Sequence, residues 1–259
     1  MRKKIKLSEL FISIGIGVAI MAIVVVLFTV LSGEPEEISL AEDNQQEETT
    51  PEPTPEVTPI PGSLPAITAD IGDIIRFGAY DWLVLDIQNN HAMLITENVI
   101  SRRWYHHTWD YVTWETSEIR EYLNSTFFNT FGAADRARIL ETTVINTGNP
   151  WLGASGGNNT TDRIFLLSIE EVVRYFGDSG QLANRHGTAL DIIDEYDEAR
   201  IAHYLSGPAW WWVRSPGRSN DIAAFVSFYG YINMYGTVVY WPDINGGGVR
   251  PALWINLNP

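Results

Sequence analysis

Trp211-Trp212-Val213-Arg214-Ser215-Pro216-Gly217 and Gly248-Val249-Arg250-Pro251-Ala252-Leu253-Trp254-Ile255 decide how this chain folds. Both are short runs of large apolar residues bounded or broken by Gly and Pro, the pattern of buried strands. Each carries one arginine among its apolar residues. A guanidinium in such a place must be paired or hydrogen-bonded. Arg214, Arg250, Trp211 and Trp212 are therefore expected to hold the structure, with the arginines joined to Asp86 or to a loop carbonyl. A carboxylate-binding pair at the end of the sheet is the alternative.

Around these strings the C-terminal third reads as strands at Ala209–Arg214, Ala223–Tyr229, Val238–Trp241 and Val249–Asn256. Upstream, Ile74–Phe77, Tyr80–Asp86 and Ala92–Thr96 read as strands, with Asn89-Asn90 as a turn. The middle is helical. Ile119, Leu123 and Phe127 recur at helical spacing within Ser117–Phe128. A second helix is expected at Ala133–Leu140, then strands at Thr142–Asn146 and Arg163–Leu167. Ser168 with Glu171 three residues on forms a capping box, and Gly177 ends that helix. Asp197–Leu205 reads as one more helix. Strands at both ends and helices between them give an α+β domain, not a βαβ repeat.

The N-terminus is organised differently. Residues 1–9 hold Arg2, Lys3, Lys4 and Lys6, and Leu10 to Leu31 carry no charge. As a helix that run is about 33 Å long, enough for a hydrocarbon core of about 30 Å. Residues 10–32 are thus expected to be a transmembrane signal anchor, with the basic tail in the cytoplasm and the remainder outside the cell. The run is longer than a cleavable signal peptide needs, though cleavage near Ser32 or Gly33 is the alternative. Residues 33–64, rich in Glu, Thr and Pro, cannot bury enough surface to fold and form a disordered linker. Fully extended, it reaches about 95 Å. Residues 65–259 form the extracytoplasmic domain.

Composition limits the chemistry. The chain has no cysteine, which removes disulfides, thiolate metal sites and cysteine nucleophiles. Residues 65–259 hold all ten tryptophans, 22 acidic residues, 13 arginines and no lysine. So acidic a domain is a poor partner for nucleic acid, whose phosphates need a basic face. Neither G-x-S-x-G nor H-E-x-x-H occurs.

Taken in order, Trp82-Leu83-Val84-Leu85-Asp86, Ile119-Arg120 through Leu123-Asn124, Phe165-Leu166-Leu167-Ser168, Trp211–Gly217 and Gly248–Ile255 form a combined pattern. It resembles an uncharacterised family of bacterial extracytoplasmic domains of unknown function, over residues 70–257. Val213 stands where that pattern has Leu. More distantly, Trp211–Ser215, Ala224–Phe228 and Gly248–Arg250 resemble the C-type-lectin-like fold of formylglycine-generating-enzyme relatives. That resemblance implies a mixed domain with recognition loops near its last strands. The oxidase chemistry of that group needs cysteines and is ruled out here, and the EPN and WND calcium strings of sugar-binding lectins are absent.

The candidate ligand-binding residues are Tyr231, Trp241, Asp243 and Asn245, where aromatic plates stand beside amide and carboxylate groups between Gly and Pro turns. Cross-strand packing and turn chemistry are the alternative account of the same residues. His106-His107, within Trp104–Trp109, is read as a polar loop, because no third ligand is spaced nearby. The acidic run Asp191–Glu198 lacks a calcium-loop pattern and is read as solvated. Gly153–Thr161 is read as a flexible surface loop. No catalytic residue, metal or cofactor is expected. The expected role is recognition of a cell-wall glycan, another wall component or a surface protein. A cell-envelope hydrolase using acidic residues and a structural accessory subunit are the alternatives.

Overall fold

Asn89 and Asn90 both adopt positive φ (49° and 66°), the geometry that closes a two-residue hairpin. They join strands β2 (Tyr80–Gln88) and β3 (His91–Thr96), and β1 (Ile74–Phe77) pairs with β2 on the other side. The computed structural model describes residues 64–240 and 246–259. The expected tail, anchor and linker, residues 1–9, 10–32 and 33–64, fall outside them except Leu64. So do Trp241, Asp243 and Asn245. Among the described residues no helix is long and apolar enough to cross a membrane.

The chain continues through β4 (Ser101–Arg103) to helix α1 (Glu118–Tyr122). Ser117 caps α1, its hydroxyl accepting from the Arg120 amide at 3.4 Å. The helix then widens into a π turn (Leu123–Phe127) and tightens into a 3₁₀ turn (Phe128–Thr130). Helix α2 (Ala133–Arg138) leads to the small ladder β5 (Thr142–Val144) and β6 (Thr160–Asp162). Helix α3 (Ile169–Phe176) starts with the expected capping box and ends at Gly177. After β7 (Asp191–Ile192) and the single turn α4 (Asp197–Arg200) come the hairpin β8 (Ala202–Tyr204) and β9 (Gly207–Ala209), then β10 (Trp211–Pro216), β11 (Ile222–Val226), β12 (Ile232–Val238), β13 (Gly247–Val249) and β14 (Ala252–Asn256).

Two main sheets result. One has the order β1-β2-β3-β14, the other β4-β13-β10-β11-β12-β7. The strand pairs are antiparallel except β10 with β13. Arg250-Pro251 is the hinge between sheets: β13 pairs in one and β14 in the other. The architecture is sheet-rich with few short helices, of α+β type. Trp82, Trp114, Trp211 and Trp212 fill the core.

Four local expectations need correction. Arg163–Leu167 is not a regular strand: Ile164–Leu167 is buried, but only Phe165 makes a ladder contact, a bridge to Ala252. The helix expected over Asp197–Leu205 stops at Arg200, because Ala202–Tyr204 pairs with Gly207–Ala209. The Val238–Trp241 strand is replaced, over its described residues, by β12 ending at Val238. The Gly153–Thr161 loop reaches into β6 and is tied down, with Asn146 Nδ2 donating to the Asn158 carbonyl at 2.8 Å.

Candidate functional site

Arg214 and Arg250 are both buried, at 3% and 2% whole-residue exposure. Arg214 is buried on β10. Its Nη1 and Nη2 meet the Glu171 carboxylate in a bidentate pair, Nη2 to Oε1 at 2.8 Å. Its remaining donors reach the Leu166 carbonyl (2.7 Å), the Ile145 carbonyl (2.9 Å) and Asn146 Oδ1 (3.2 Å). Glu171 is also the capping-box acid of α3, accepting from the Ser168 amide at 3.0 Å. One carboxylate therefore caps a helix and neutralises a buried arginine. Asp86 is not the partner of either arginine; it faces Arg174 at 3.4 Å.

Arg250 is held without a side-chain carboxylate contact. Nε donates to the Thr96 carbonyl (2.9 Å), Nη2 to the Glu97 carbonyl (3.1 Å) and Nη1 to the Arg200 carbonyl (3.4 Å). The Phe176 and Trp211 rings lie 5.2 Å and 5.0 Å from its guanidinium carbon. Burial pulls the group down to about 9, opposed by the nearby Glu97 charge, so it stays charged at neutral pH. Both guanidinium groups are enclosed by the core.

The acidic run is solvated only in part: Glu195 and Glu198 are exposed, as expected, but Asp194 and Asp197 turn inward. Asp194 is shielded from water and bonds Arg200, itself fully buried, at 2.8 Å; Asp197 adds a 3.2 Å contact. Burial alone would raise Asp194, but hydrogen bonds from Arg200, Ser179 and the Tyr196 amide outweigh it and hold the carboxyl below its usual range. Burial raises Asp197. Asp162 is likewise enclosed, accepting from Arg120 Nε (2.7 Å), Trp114 Nε1 (2.9 Å) and Thr160 Oγ1 (2.7 Å).

Of the predicted binding residues, Tyr231 is half-buried at the turn before β12, and Trp241, Asp243 and Asn245 lie outside the described residues.

An open cleft of about 410 Å³ does form, lined by Arg102, Arg103, Trp104, Glu118, Ile119 and Tyr122. It lies between β4 and α1. The Arg103 guanidinium stacks over the Tyr122 ring at 3.5 Å. The Trp104 ring meets Tyr240 edge-on at 4.9 Å between centroids. Trp109, well exposed, donates its indole N–H to the Tyr240 carbonyl at 2.7 Å. Beneath this rim the backbone is tightly fitted. A Cβ on Gly247 would lie 2.3 Å from the Trp210 ring and 2.5 Å from Trp212 Nε1, so only glycine lets β13 pass there.

Beside the cleft stand His106, His107 and Glu118. One ligand atom from each falls within 4.8 Å of the others. His107 Nδ1 pairs with Glu118 Oε1, and the His107 amide donates to Oε2 at 3.1 Å. The expectation of a polar loop rested on the absence of a third donor. Glu118 supplies one from the first turn of α1, eleven residues away. A capping signal at Ser117 was the available hint that this turn starts there.

A family model described as a domain of unknown function (DUF6273) matches residues 89–257. The chain belongs to that family. The matched span runs from the β2–β3 turn through β14, so it contains the cleft, the histidine pair, Arg214 and Arg250. No curated protein and no solved structure matches the chain.

Proposed function

We propose that this chain is a membrane-anchored recognition module of the cell surface, and that its domain binds a wall glycan in the cleft between β4 and α1. The observation that carries this reading is the lining of that cleft. Trp104 offers an exposed ring and the Arg103 guanidinium stacked on Tyr122 a flat plate, while Arg102 and Glu118 offer hydrogen-bonding groups beside them. Flat plates with a few polar groups suit a sugar ring, which is apolar on one face and edged with hydroxyls. Among the described residues Glu118 is the one carboxylate lining the cleft. Glycoside hydrolysis by the common route needs two, about 5–9.5 Å apart. The recognition reading is favoured over the hydrolase on that ground.

The C-type-lectin-like fold belongs to this proposal. Its support is that strands from the start of the domain share a sheet with the last strand, β14, while helices and short strands lie between them. The membrane anchor at residues 10–32 rests on its length, apolarity and basic flank.

The test is a glycan array probed with the full chain in detergent, alongside Trp104→Ala and Arg103→Ala. Both side chains are exposed, so each variant should keep its melting temperature within about 2 °C. Each should lose at least about tenfold in affinity for the bound saccharide, about 1.4 kcal/mol. Binding of a protein but no saccharide, or unaltered binding by both variants, would overturn the assignment.

A further inference from the structure

We propose that His106, His107 and Glu118 form a binding site for a divalent transition-metal cation of the zinc type, with a fourth coordination position left open. The site stands on its own residues and does not depend on the recognition reading.

Two imidazoles and one carboxylate are ligands suited to zinc, nickel or copper, whereas calcium and magnesium prefer oxygen throughout. Three protein ligands leave tetrahedral zinc one position for water or a ligand group. In such a site the bonds are about 2.0–2.1 Å, which puts ligand atoms about 3.3 Å apart. The three atoms here already lie within 4.8 Å of one another. His107 and Glu118 are partly exposed, at 58% and 39% of the side chain, so rotation about their side-chain bonds can close the remainder.

A second observation points to the same place. Nδ1 of His106 is shut off from solvent and has no hydrogen-bond partner among the described residues. A buried polar atom without a partner calls for an explanation, and a role as a cation ligand is one. The other four such atoms, on Thr96, Ser101, Glu170 and Arg200, do not belong to this cluster.

The backbone around the cluster is already in place. The Tyr105 and His106 amides both donate to the Val239 carbonyl, at 3.1 Å and 3.3 Å. The Ile119 amide donates to the Tyr105 carbonyl at 3.2 Å, so the histidine segment is bonded directly to the first turn of α1. Tyr105 is buried, and its hydroxyl donates to the Arg214 carbonyl at 3.0 Å. The ligands therefore project from segments that are anchored to the core, as a metal site requires. The contact between His107 Nδ1 and Glu118 Oε1 is the one a bound cation would replace. Because Glu118 also lines the cleft, the cation would sit at its rim.

The test is isothermal titration of Zn²⁺ into the full chain, purified in detergent without a polyhistidine tag and stripped with EDTA. One zinc per chain should bind. His107→Ala and Glu118→Gln should each weaken binding at least about tenfold, the loss that even an outer-shell partner can cause. His203→Ala, outside the cluster, should bind as the parent does. Excess zinc at a hundred times the dissociation constant should raise the melting temperature of the parent by about 5–10 °C. The two ligand variants should show no such rise at that concentration. Both altered side chains are partly exposed, and circular dichroism of the metal-free proteins checks that each variant is folded. No saturable binding up to millimolar zinc, or equal affinity in His107→Ala and Glu118→Gln, would overturn the proposal.

Discussion

Glu171→Ala tests the account of the core most directly, because that carboxylate performs two tasks. Its partner Arg214 is 2% exposed while Glu171 itself is 28% exposed. Removing one member of a buried pair generally costs about 3–5 kcal/mol, since the other charge is left unpaired. Here Arg214 keeps the Leu166 and Ile145 carbonyls and Asn146 Oδ1, so the cost falls near the lower bound, about 3 kcal/mol. The Ser168 amide also loses its acceptor, while Ser168 Oγ still accepts from the residue-171 amide at 3.1 Å. That half-lost capping box adds up to about 1 kcal/mol. For a domain of this size 1 kcal/mol moves the melting temperature by about 2–4 °C, so a fall of roughly 6–16 °C is expected by scanning calorimetry. Combining Glu171→Ala with Arg214→Met should recover part of the loss, because no unpaired charge remains. A fall below about 2 °C, or a double-mutant cycle in which the two losses simply add, would refute the reasoning.

Three further outcomes can be checked. Arg250→Lys keeps the charge but loses the planar donors that reach three carbonyls between two rings; it should cost about 2–4 kcal/mol in urea unfolding, and an unchanged midpoint would show the carbonyl contacts to be incidental. Asp194 is held below its usual range when folded, so its stabilisation is present above the ordinary carboxylate value and disappears as pH falls through the folded value; Asp197, raised by burial, acts in the opposite sense. Asp194→Asn should therefore flatten the acid limb of stability against pH while lowering stability at pH 7, and a limb as steep as that of the parent would reassign the effect. Protease added to intact protoplasts should remove the domain and leave a short membrane-bound fragment; a fully protected domain would reverse the proposed orientation.

Local signals in the sequence were legible, and distant pairings were not. The capping box of Ser168 and Glu171 spans three residues and is visible as a pattern. Arg214, the other partner of Glu171, is 43 residues away, and no spacing rule connects them. β12 was missed for a different reason. Ile232, Asn233, Met234 and Tyr235 alternate between buried and half-buried, as a strand should. Asn233 and Gly236, however, carry turn chemistry. The structure uses them inside the strand: Asn233 Oδ1 accepts from the Gly236 amide at 2.6 Å, and Gly236 has φ of 82° where the β11–β12 register shifts. A bulge and a turn look alike in one dimension. The helix expected over Asp197–Leu205 failed because Arg200 turns inward to Asp194 and Asp197, and tertiary contact overrides local preference. The cleft was illegible because its two walls, Arg102–Trp104 and Glu118–Tyr122, meet only after folding.

The absence of lysine from residues 65–259 has a structural reading that joins these points. Arg138, Arg200, Arg214 and Arg250 are all buried. Each donates to backbone carbonyls at the ends of strands and helices or outside them. Arg138 reaches the carbonyls of Pro65, Asn256 and Leu257, tying the start of the domain to its end. Arg200 reaches Gly177, Arg214 reaches Ile145 and Leu166, and Arg250 reaches Thr96, Glu97 and Arg200. A fold of short strands leaves many carbonyls outside its ladders, and a buried carbonyl without a donor is costly. A guanidinium offers five donors in one plane and can serve several such carbonyls at once; an ammonium offers three at a point and is more strongly hydrated. The arginines thus replace ladder hydrogen bonds that the irregular backbone cannot make. This also alters the reading of the net charge. With four of the thirteen arginines enclosed, the exposed surface has few cations left, and Arg102 and Arg103 beside the cleft are two of them. That puts two of the exposed cations at the proposed binding cleft, on an otherwise acidic domain, where they would favour a partner that bears oxygen atoms.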